Sequence, residues 1–243
     1  MEVGLVLRRH AALARLGIEA MDRIVRASTL VRLRRGETLW QAGQSATAFA
    51  VVAVGLVKVM VPGGASRDLV LGLAGPGEGV GECAVLTDGL HDVDAYAFTE
   101  SVVIARVPAE PFLSAMEQSG VAALGMARMF GESSRVANRR LALFTSSSEE
   151  RLAAALTELG ERFGDEMENG STLIPLRLTR AELAALVGTT VETTIRTLSR
   201  WSREGLVSTE DGMLTLHDAR ALALRSVAPS VPSRRGLEAA SAG

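Results

Sequence analysis

Four neighbouring side chains could read DNA bases if the stretch that carries them is helical. At about 100° per residue, Glu192, Ile195 and Arg196 lie on one side of a helix, and Val191 lies beside them. Arginine can donate two hydrogen bonds to guanine, glutamate can accept one from cytosine N4, and an apolar tip can contact the thymine methyl. An exposed isoleucine between two charges fits a face that meets base edges in a major groove.

The residues around this face predict two short helices joined by a tight turn. Thr179 and Glu182 have capping-box spacing, so the first helix should begin there. Gly188 should end it, because glycine tolerates the left-handed backbone of a helix exit. Either of the two threonines that follow can cap the second helix, which should end at Gly205. Two helices across a short turn that contains glycine are typical of a helix-turn-helix motif.

The other side of the second helix is predicted to be buried. Thr194, Leu198 and Trp201 are spaced four and three residues apart, so they share one side and should pack on the first helix. The following segment, residues 205–216, predicts a two-stranded wing. A winged-helix module that only packs against another protein is the alternative interpretation of the same pattern.

The pattern LT-x-x-ELA-x-x-VG-x-T-x-ET-x-x-R-x-L…GLV…D-G-x-L-x-L resembles the cyclic-AMP receptor protein/FNR (CRP/FNR) family of bacterial transcription regulators. In that family a glutamate and an arginine four residues later read each half-site. The nucleotide-responsive branch has arginine in place of Val191, and the FNR-like branch has serine in place of Ile195. The DNA-binding residues that we predict are Arg180, Thr190, Val191, Glu192, Ile195 and Arg196.

Short β-rich runs separated by glycines fill residues 31–107 and predict a small β-barrel or roll. The order G-E-T-L…F-A-V-V-x-x-G-x-V-K-V…G-E resembles the cyclic-nucleotide-binding β-roll of the same family, so the resemblance extends from about Leu13 to Leu222. It implies an α+β fold. The expected parts are a β-roll sensor domain (1–110), a long dimerisation helix (111–145), a winged helix-turn-helix domain (146–225) and a disordered tail (226–243).

Three further helical segments are predicted outside the motif. Residues 1–28 should be helical with one apolar side, and residues 111–144 should form a long helix with an imperfect heptad pattern. Ser147 and Glu150 have capping-box spacing, so a helix should begin there, at the start of the winged helix-turn-helix domain.

Composition and length fit two modest cytoplasmic domains. The chain has 243 residues, of which 47% are hydrophobic, and a net charge of −2, which argues against non-specific binding of nucleic acid by the whole chain. We see neither a long apolar signal core nor a membrane-spanning run of about 18 apolar residues. The partners implied by the resemblance are double-stranded DNA with a palindromic promoter site, a second copy of the chain, and RNA polymerase, with no membrane.

Few residues suggest catalysis, so we do not expect an enzyme, a metal site or a cofactor. No Walker loop, G-x-S-x-G or H-E-x-x-H motif is present, and a single cysteine excludes an intrachain disulfide. We expect surface positions for His10 and His217. We expect a solvated loop for His91, Asp92 and Asp94, and a buried position within a β run for Cys83.

The resemblance also implies a candidate effector pocket, formed by Gly81, Glu82, Asp92, Val136 and Ala137. Cyclic-nucleotide binders of the family use a Gly-Glu pair for the ribose and an Arg-Ser or Arg-Thr pair about ten residues later for the phosphate. Gly81 and Glu82 match the first pair. The second should fall at residues 91–93, where no lysine or arginine occurs and Asp92 places a negative charge. Val136 and Ala137 lack the hydroxyl groups that would bind adenine.

These differences predict a regulator that does not depend on cyclic AMP. DNA binding without a ligand, a different effector such as a cyclic dinucleotide, and regulation by protein level or by a partner all remain open. The rival hypothesis is a ligand-sensing or protein-interaction module with weak or vestigial DNA binding. The presence of both Glu192 and Arg196 on one exposed face favours the DNA-binding regulator.

Overall fold

The computed structural model of the protein describes residues 1–61, 69–87 and 89–226. The chain divides into two compact units, one of residues 1–135 and one from Val136 onward. Helices and strands contribute to both units, which confirms the α+β class. Within the described ranges, no helix is both long and apolar enough to cross a membrane. The predicted tail lies outside the described residues after Ser226.

Two four-stranded antiparallel sheets form a roll in the first unit and confirm the predicted β-roll. The strands are β1 (Thr29–Arg34), β2 (Thr38–Trp40), β3 (Ala48–Val54), β4 (Val57–Val61), β5 (Leu69–Ala74), β6 (Gly79–Val80), β7 (Asp94–Ala97) and β8 (Ser101–Pro108). One sheet has the order β1-β8-β3-β6 and the other the order β2-β7-β4-β5. Each β3 partner is antiparallel to it.

The burial of both faces of strand β3 explains why its sequence is an unbroken apolar run. Ala50 and Val52 contribute to the core cluster inside the roll. Phe49, Val51 and Ala53, on the opposite face of the strand, join the cluster that packs against the helices. Because both faces are covered, the strand is apolar throughout instead of alternating with polar residues.

Short helices form most of the first 28 residues, which were predicted to be helical. The apolar side was predicted correctly, since Leu13, Leu16, Met21 and Ile24 are all buried. Gly17 has an extended backbone and separates the last helix of this segment from the turn before it. The first unit contains, entirely or in part, the helical elements α1 (Val3–Leu7), a 3-10 turn (Leu13–Arg15), α2 (Ile18–Ala27), α3 (Glu82–Leu86), α4 (Ala109–Gln118) and α5 (Gly120–Ala142). The last of these, α5, continues into the second unit.

The long helix predicted for residues 111–144 is confirmed from Gly120 onward, but Ser119 separates it from a shorter helix before it. Ser119 has φ −128° and ψ 92°, so α4 ends before it. Its Oγ accepts a hydrogen bond from the Ala122 amide at 3.3 Å, and its carbonyl accepts one from the Ala123 amide at 2.9 Å. Ser119 therefore caps α5, which runs to Ala142 and is followed by a 3-10 turn, Leu143–Thr145.

The second unit places a helix-turn-helix beside a small antiparallel sheet. Its elements are α6 (Ser148–Phe163), β9 (Asp165–Glu166), β10 (Thr172–Ile174), α7 (Arg180–Val187), α8 (Val191–Arg203), β11 (Val207–Glu210), β12 (Met213–Leu216) and α9 (Ala219–Leu224). The sheet order is β11-β12-β10-β9. Ser147 caps α6 in a capping box with Glu150, as predicted.

Candidate nucleic-acid interface

The motif formed by α7, the turn and α8 matches the predicted boundaries. The Thr179 side chain accepts a hydrogen bond from the Glu182 amide, and the Glu182 carboxylate accepts one from the Thr179 amide at 2.8 Å. Gly188 ends α7 with φ 64°, a conformation that favours glycine. Thr190 caps α8 by accepting a hydrogen bond from the Thr193 amide at 3.0 Å. These caps fix the start of the second helix.

One side of α8 is buried as predicted. Thr194 and Trp201 are fully buried, and Leu198 is nearly so. α8 packs against α7 and α6. The Thr194 hydroxyl donates to the Thr190 carbonyl at 3.1 Å, which satisfies its polar group inside the unit. This burial fixes which side of α8 faces away from the protein.

The opposite side of α8 carries four of the residues predicted to bind DNA, Val191, Glu192, Ile195 and Arg196, and we call this surface the recognition face. All four residues are exposed, with Val191 at 43% and Ile195 at 47%. Among the residues that the structure describes, neither Glu192 nor Arg196 has a hydrogen-bond or ion-pair partner. The face therefore combines a free acceptor, a free cationic donor and two apolar tips, the groups that base edges can bind.

Arg151 of α6 holds the turn between the two helices, a contact that the sequence did not reveal. Its Nε donates to the Val187 carbonyl at 2.7 Å, and its Nη2 donates to the Gly188 carbonyl at 3.3 Å. Its Nη1 donates to the Ser146 carbonyl at 2.6 Å. The guanidinium thus joins the end of α7 to the residues before α6. No local pattern signals an arginine that binds carbonyls 36 residues away.

The predicted wing is present, and it contacts another predicted DNA-binding residue. Asp211 and Gly212 form the turn between β11 and β12, both with positive φ. Arg180, at the start of α7, donates to Thr209 of β11 at 3.0 Å. Partial burial lowers the pKa of the Arg180 guanidinium, which still remains charged at neutral pH. Arg180 thus lies beside the wing rather than on the recognition face.

Glu82, one of the predicted pocket residues, is buried against His10 of the N-terminal segment. His10, predicted at the surface, is fully buried, and its Nε2 lies 3.1 Å from Glu82 Oε1. His10 Nδ1 accepts a hydrogen bond from the Leu13 amide at 3.3 Å, so Nε2 carries the proton and donates to the carboxylate. The surface prediction for His10 is wrong because its partner is 72 residues away in sequence. His217 is exposed, as predicted.

His91 does not lie in a solvated loop, and that prediction is wrong. It is 4% exposed and stacks on Trp40, with ring centroids 4.2 Å apart and planes at 6°. Burial lowers the pKa of His91, and the charge of the exposed Asp92 opposes this only in part. Gly81, with φ 91°, packs against both rings, and an added Cβ would lie 2.9 Å from Trp40. An aromatic stack therefore covers Gly81.

Asp94 is also buried rather than solvated. Its carboxylate accepts hydrogen bonds from the Ala42 amide at 2.8 Å and from the Tyr96 hydroxyl at 2.9 Å. The Asp94 carboxylate therefore links β7 to the segment that follows β2. Asp92 remains exposed, so only one of the two acidic groups keeps the predicted position facing solvent.

Cys83 lies in α3 and is exposed, so the prediction of a buried thiol in a β run is wrong. Partial desolvation and the charges of Glu82 and Asp92 raise the pKa of its thiol. The other two predicted pocket residues, Val136 and Ala137, belong to the second unit and are half-buried and exposed, respectively.

Two protein families match the two units. The Crp-like helix-turn-helix domain matches residues 150–225. The cyclic nucleotide-binding domain matches residues 30–119. Together they cover the roll and the winged helix-turn-helix that the structure shows.

Two relatives that match most of the chain are named as transcription regulators. The transcriptional regulatory protein btr of Bordetella pertussis is 29% identical over 196 residues, which cover 78% of this chain and 77% of that protein. The CRP-like cAMP-activated global transcriptional regulator of Mycobacterium tuberculosis is 26% identical over 221 residues, which cover 88% of this chain and 98% of that protein.

Solved structures share the fold. TTHA1359 of Thermus thermophilus, a transcriptional regulator of the CRP/FNR family, is 27% identical with a TM-score of 0.68, covering 83% of this chain and 100% of that one. FixK2 of Bradyrhizobium japonicum, at 20% identity, has a TM-score of 0.74, covering 84% and 99%. The fold and the two family matches define a DNA-binding transcription regulator with a cyclic-nucleotide-binding-type domain. The chain belongs to the CRP/FNR family of transcription regulators.

Proposed function

We propose that this protein is a homodimer that binds a palindromic promoter site sequence-specifically and does so without cyclic AMP. The observation that carries the proposal is the recognition face, on which Glu192 and Arg196 are exposed and unpaired among the described residues. A solvated surface helix has no need of two exposed apolar side chains beside such charges, whereas a thymine methyl can contact them. Binding-site selection with the ligand-free protein tests the proposal, and enrichment of no sequence would contradict it.

The dimer is supported by apolar side chains on α5. Val121 and Leu124, one turn apart on this helix, are 62% and 54% exposed. Large apolar side chains on the same side of a long helix are typical of a surface that another chain covers. We therefore expect parallel association along residues 111–144, as in the proposed palindromic complex. RNA polymerase is the further partner that we expect at a promoter. Because promoter DNA and RNA polymerase are both cytoplasmic in bacteria, we also expect the protein to be cytoplasmic.

The dimer has a direct test. Analytical ultracentrifugation at micromolar concentration should show two chains per particle, and in the DNA complex the two α8 helices should lie ~34 Å apart, one turn of the duplex. Leu124→Glu should shift the particle toward the monomer, because it places a charge in the proposed contact. An unaltered chain that sediments as a monomer would rule out the proposal.

Independence from cyclic AMP is supported by what replaces its binding groups. Asp92 is exposed where the phosphate would lie, and a carboxylate repels an anion. The Glu82 carboxylate already accepts a hydrogen bond from His10, so a ribose hydroxyl would have to compete with a buried partner. Neither Val136 nor Ala137 has a hydroxyl to offer adenine.

We expect calorimetry to detect no micromolar binding of cyclic AMP. The affinity of the protein for its selected duplex should also agree within about twofold with and without the nucleotide, because a ligand shifts a switch only through differential affinity. Titration of the same protein with a cyclic dinucleotide distinguishes a different effector from none. Micromolar cyclic-AMP affinity coupled to a large gain in DNA affinity would refute this part of the proposal.

Arg180→Ala should weaken binding to all duplexes alike. Arg180 lies at the wing, where a guanidinium would contact phosphate rather than a base edge. Its loss should therefore reduce the slope of log affinity against log salt by about one while base preferences stay unchanged. Binding measured over a salt series on selected and random duplexes decides this. A changed base preference would instead assign Arg180 to base reading.

A further inference from the structure

Glu149, in the first turn of α6, binds the C-terminal half of α8. Its Oε2 lies 2.5 Å from Arg200 Nη2, and its Oε1 accepts a hydrogen bond from the Trp201 indole Nε1 at 3.1 Å. Arg200 and Trp201 both belong to the last turns of α8. One carboxylate thus holds two consecutive residues of the helix that carries the recognition face.

Two further residues complete a closed ring of alternating charges, which we call the charge ring: Glu149, Arg200, Glu204 and Arg225. Arg225 Nη2 lies 2.9 Å from Glu204 Oε2, and Arg225 Nη1 lies 3.6 Å from Glu149 Oε1. Arg200 Nε lies 3.8 Å from Glu204 Oε1. The ring joins the start of α6, the end of α8 and the end of α9, and its formal charges cancel.

The ring keeps Glu149 ionised. Burial acts to raise the pKa of Glu149, but the hydrogen bonds from Arg200 and Trp201, together with the charges of Arg200 and Arg225, outweigh it and lower the pKa. Glu149 lies in the first turn of α6 and Arg200 in the last turn of α8. Both positions also suit the helix dipoles, which favour anions at N-termini and cations at C-termini.

We propose that Glu149 is a positioning residue for DNA recognition, because it fixes the orientation of α8 from the end opposite to the turn. This inference rests on the proposed DNA binding and adds a residue outside the recognition face. Arg151, two residues further along α6, holds the turn before α8 through the Val187 and Gly188 carbonyls. Residues in the first turns of α6 therefore bind both the turn before α8 and the C-terminal end of α8.

Directional contacts matter here because packing determines which side of α8 is buried but fixes its rotation only coarsely. Trp201 is fully buried, but apolar burial is non-directional, so it does not resist small rotations of α8 as strongly as a hydrogen bond does. A small rotation of α8 about its axis would swing Glu192 and Arg196 across the groove. Base-edge hydrogen bonds weaken steeply with angle, whereas attraction to phosphates does not. Loss of the charge ring should therefore reduce specific binding more than non-specific binding.

The chain provides a matched control for Glu149→Gln. Glu158, also on α6, pairs with Arg140 at 2.7 Å and with Arg162 at 3.4 Å, and it does not contact α8 in the ring. The Glu149 and Glu158 side chains are 34% and 35% exposed. Either Gln substitution removes one negative charge that repels DNA, so simple electrostatics predicts slightly tighter binding for both variants.

We expect Glu149→Gln to weaken binding to the selected duplex about tenfold while affinity for random duplex changes by less than about twofold. Glu158→Gln should change neither by more than about twofold. Glu149→Asp keeps the charge but shortens the side chain, so it should also lose specific affinity. Equal changes on both duplexes, or unchanged specific affinity in Glu149→Gln and Glu149→Asp, would overturn the proposal.

The Trp201 indole proton gives a readout of the contact that does not depend on DNA. In ¹⁵N–¹H spectra of the full chain, the two tryptophans give one signal each from the two units. Glu149→Gln should shift the Trp201 signal upfield and leave that of Trp40 unchanged, while Glu158→Gln shifts neither. A stationary Trp201 signal would show that the carboxylate does not bind there. If the unaltered protein enriches no sequence, the proposed function fails first, and this inference with it.

Discussion

Replacing Arg196 by alanine should weaken binding to the selected duplex by roughly 1–3 kcal/mol per half-site and relax the preference at one base pair. Arg196 is exposed on the recognition face and free of partners among the described residues, so the folded protein need not break a contact to use it. A guanidinium that donates two hydrogen bonds to guanine discriminates against the other bases, and alanine cannot replace it.

Specificity is the quantity to measure for Arg196→Ala. Binding to a set of duplexes, each with one altered base pair, should show the loss of preference at a single position of each half-site. Arg203→Ala is the matched control, because it removes the same charge two turns further along α8, outside the four residues that define the recognition face. Equal weakening of selected and random duplexes by Arg196→Ala would show that the residue reads no base.

The motif was predictable because its signals are local. Thr179 with Glu182 defines a capping box over four residues, and Gly188 supplies the positive φ that ends α7. The period of about 3.6 residues then separates the buried Thr194 and Trp201 from the exposed face. None of these signals requires knowledge of a distant contact, and all of them are confirmed.

The contacts around the candidate effector pocket were not predicted, because the residues that make them are distant in sequence. His10 and Glu82 are 72 residues apart, and Trp40 stacks on His91 from another strand. Nothing local distinguishes a surface histidine from a buried one that donates to a carboxylate. The break at Ser119 was missed for a different reason, since its cap is local but a serine beside glycine is a weak signal within a long helical pattern.

Glu82→Ala should destabilise the first unit by roughly 1–3 kcal/mol, because it leaves the Nε2 proton of the fully buried His10 without an acceptor. Urea unfolding followed through the Trp40 indole signal measures this loss in the unit concerned. Glu158→Gln, on the second unit, should leave the transition unchanged. An effector-binding Glu82 would instead leave the stability of the ligand-free protein nearly unaltered when replaced.

Gly79 offers a sharper test of the same carboxylate. An added Cβ at Gly79 would overlap the Glu82 carboxylate, so Gly79→Ala should expel that group and destabilise the unit by roughly 1–3 kcal/mol. In the Glu82→Ala background the obstacle is absent, and the second substitution should be close to neutral or stabilising, because alanine restricts the unfolded chain. The two substitutions should therefore be strongly non-additive, whereas additive losses would place the Glu82 carboxylate away from His10 and Gly79.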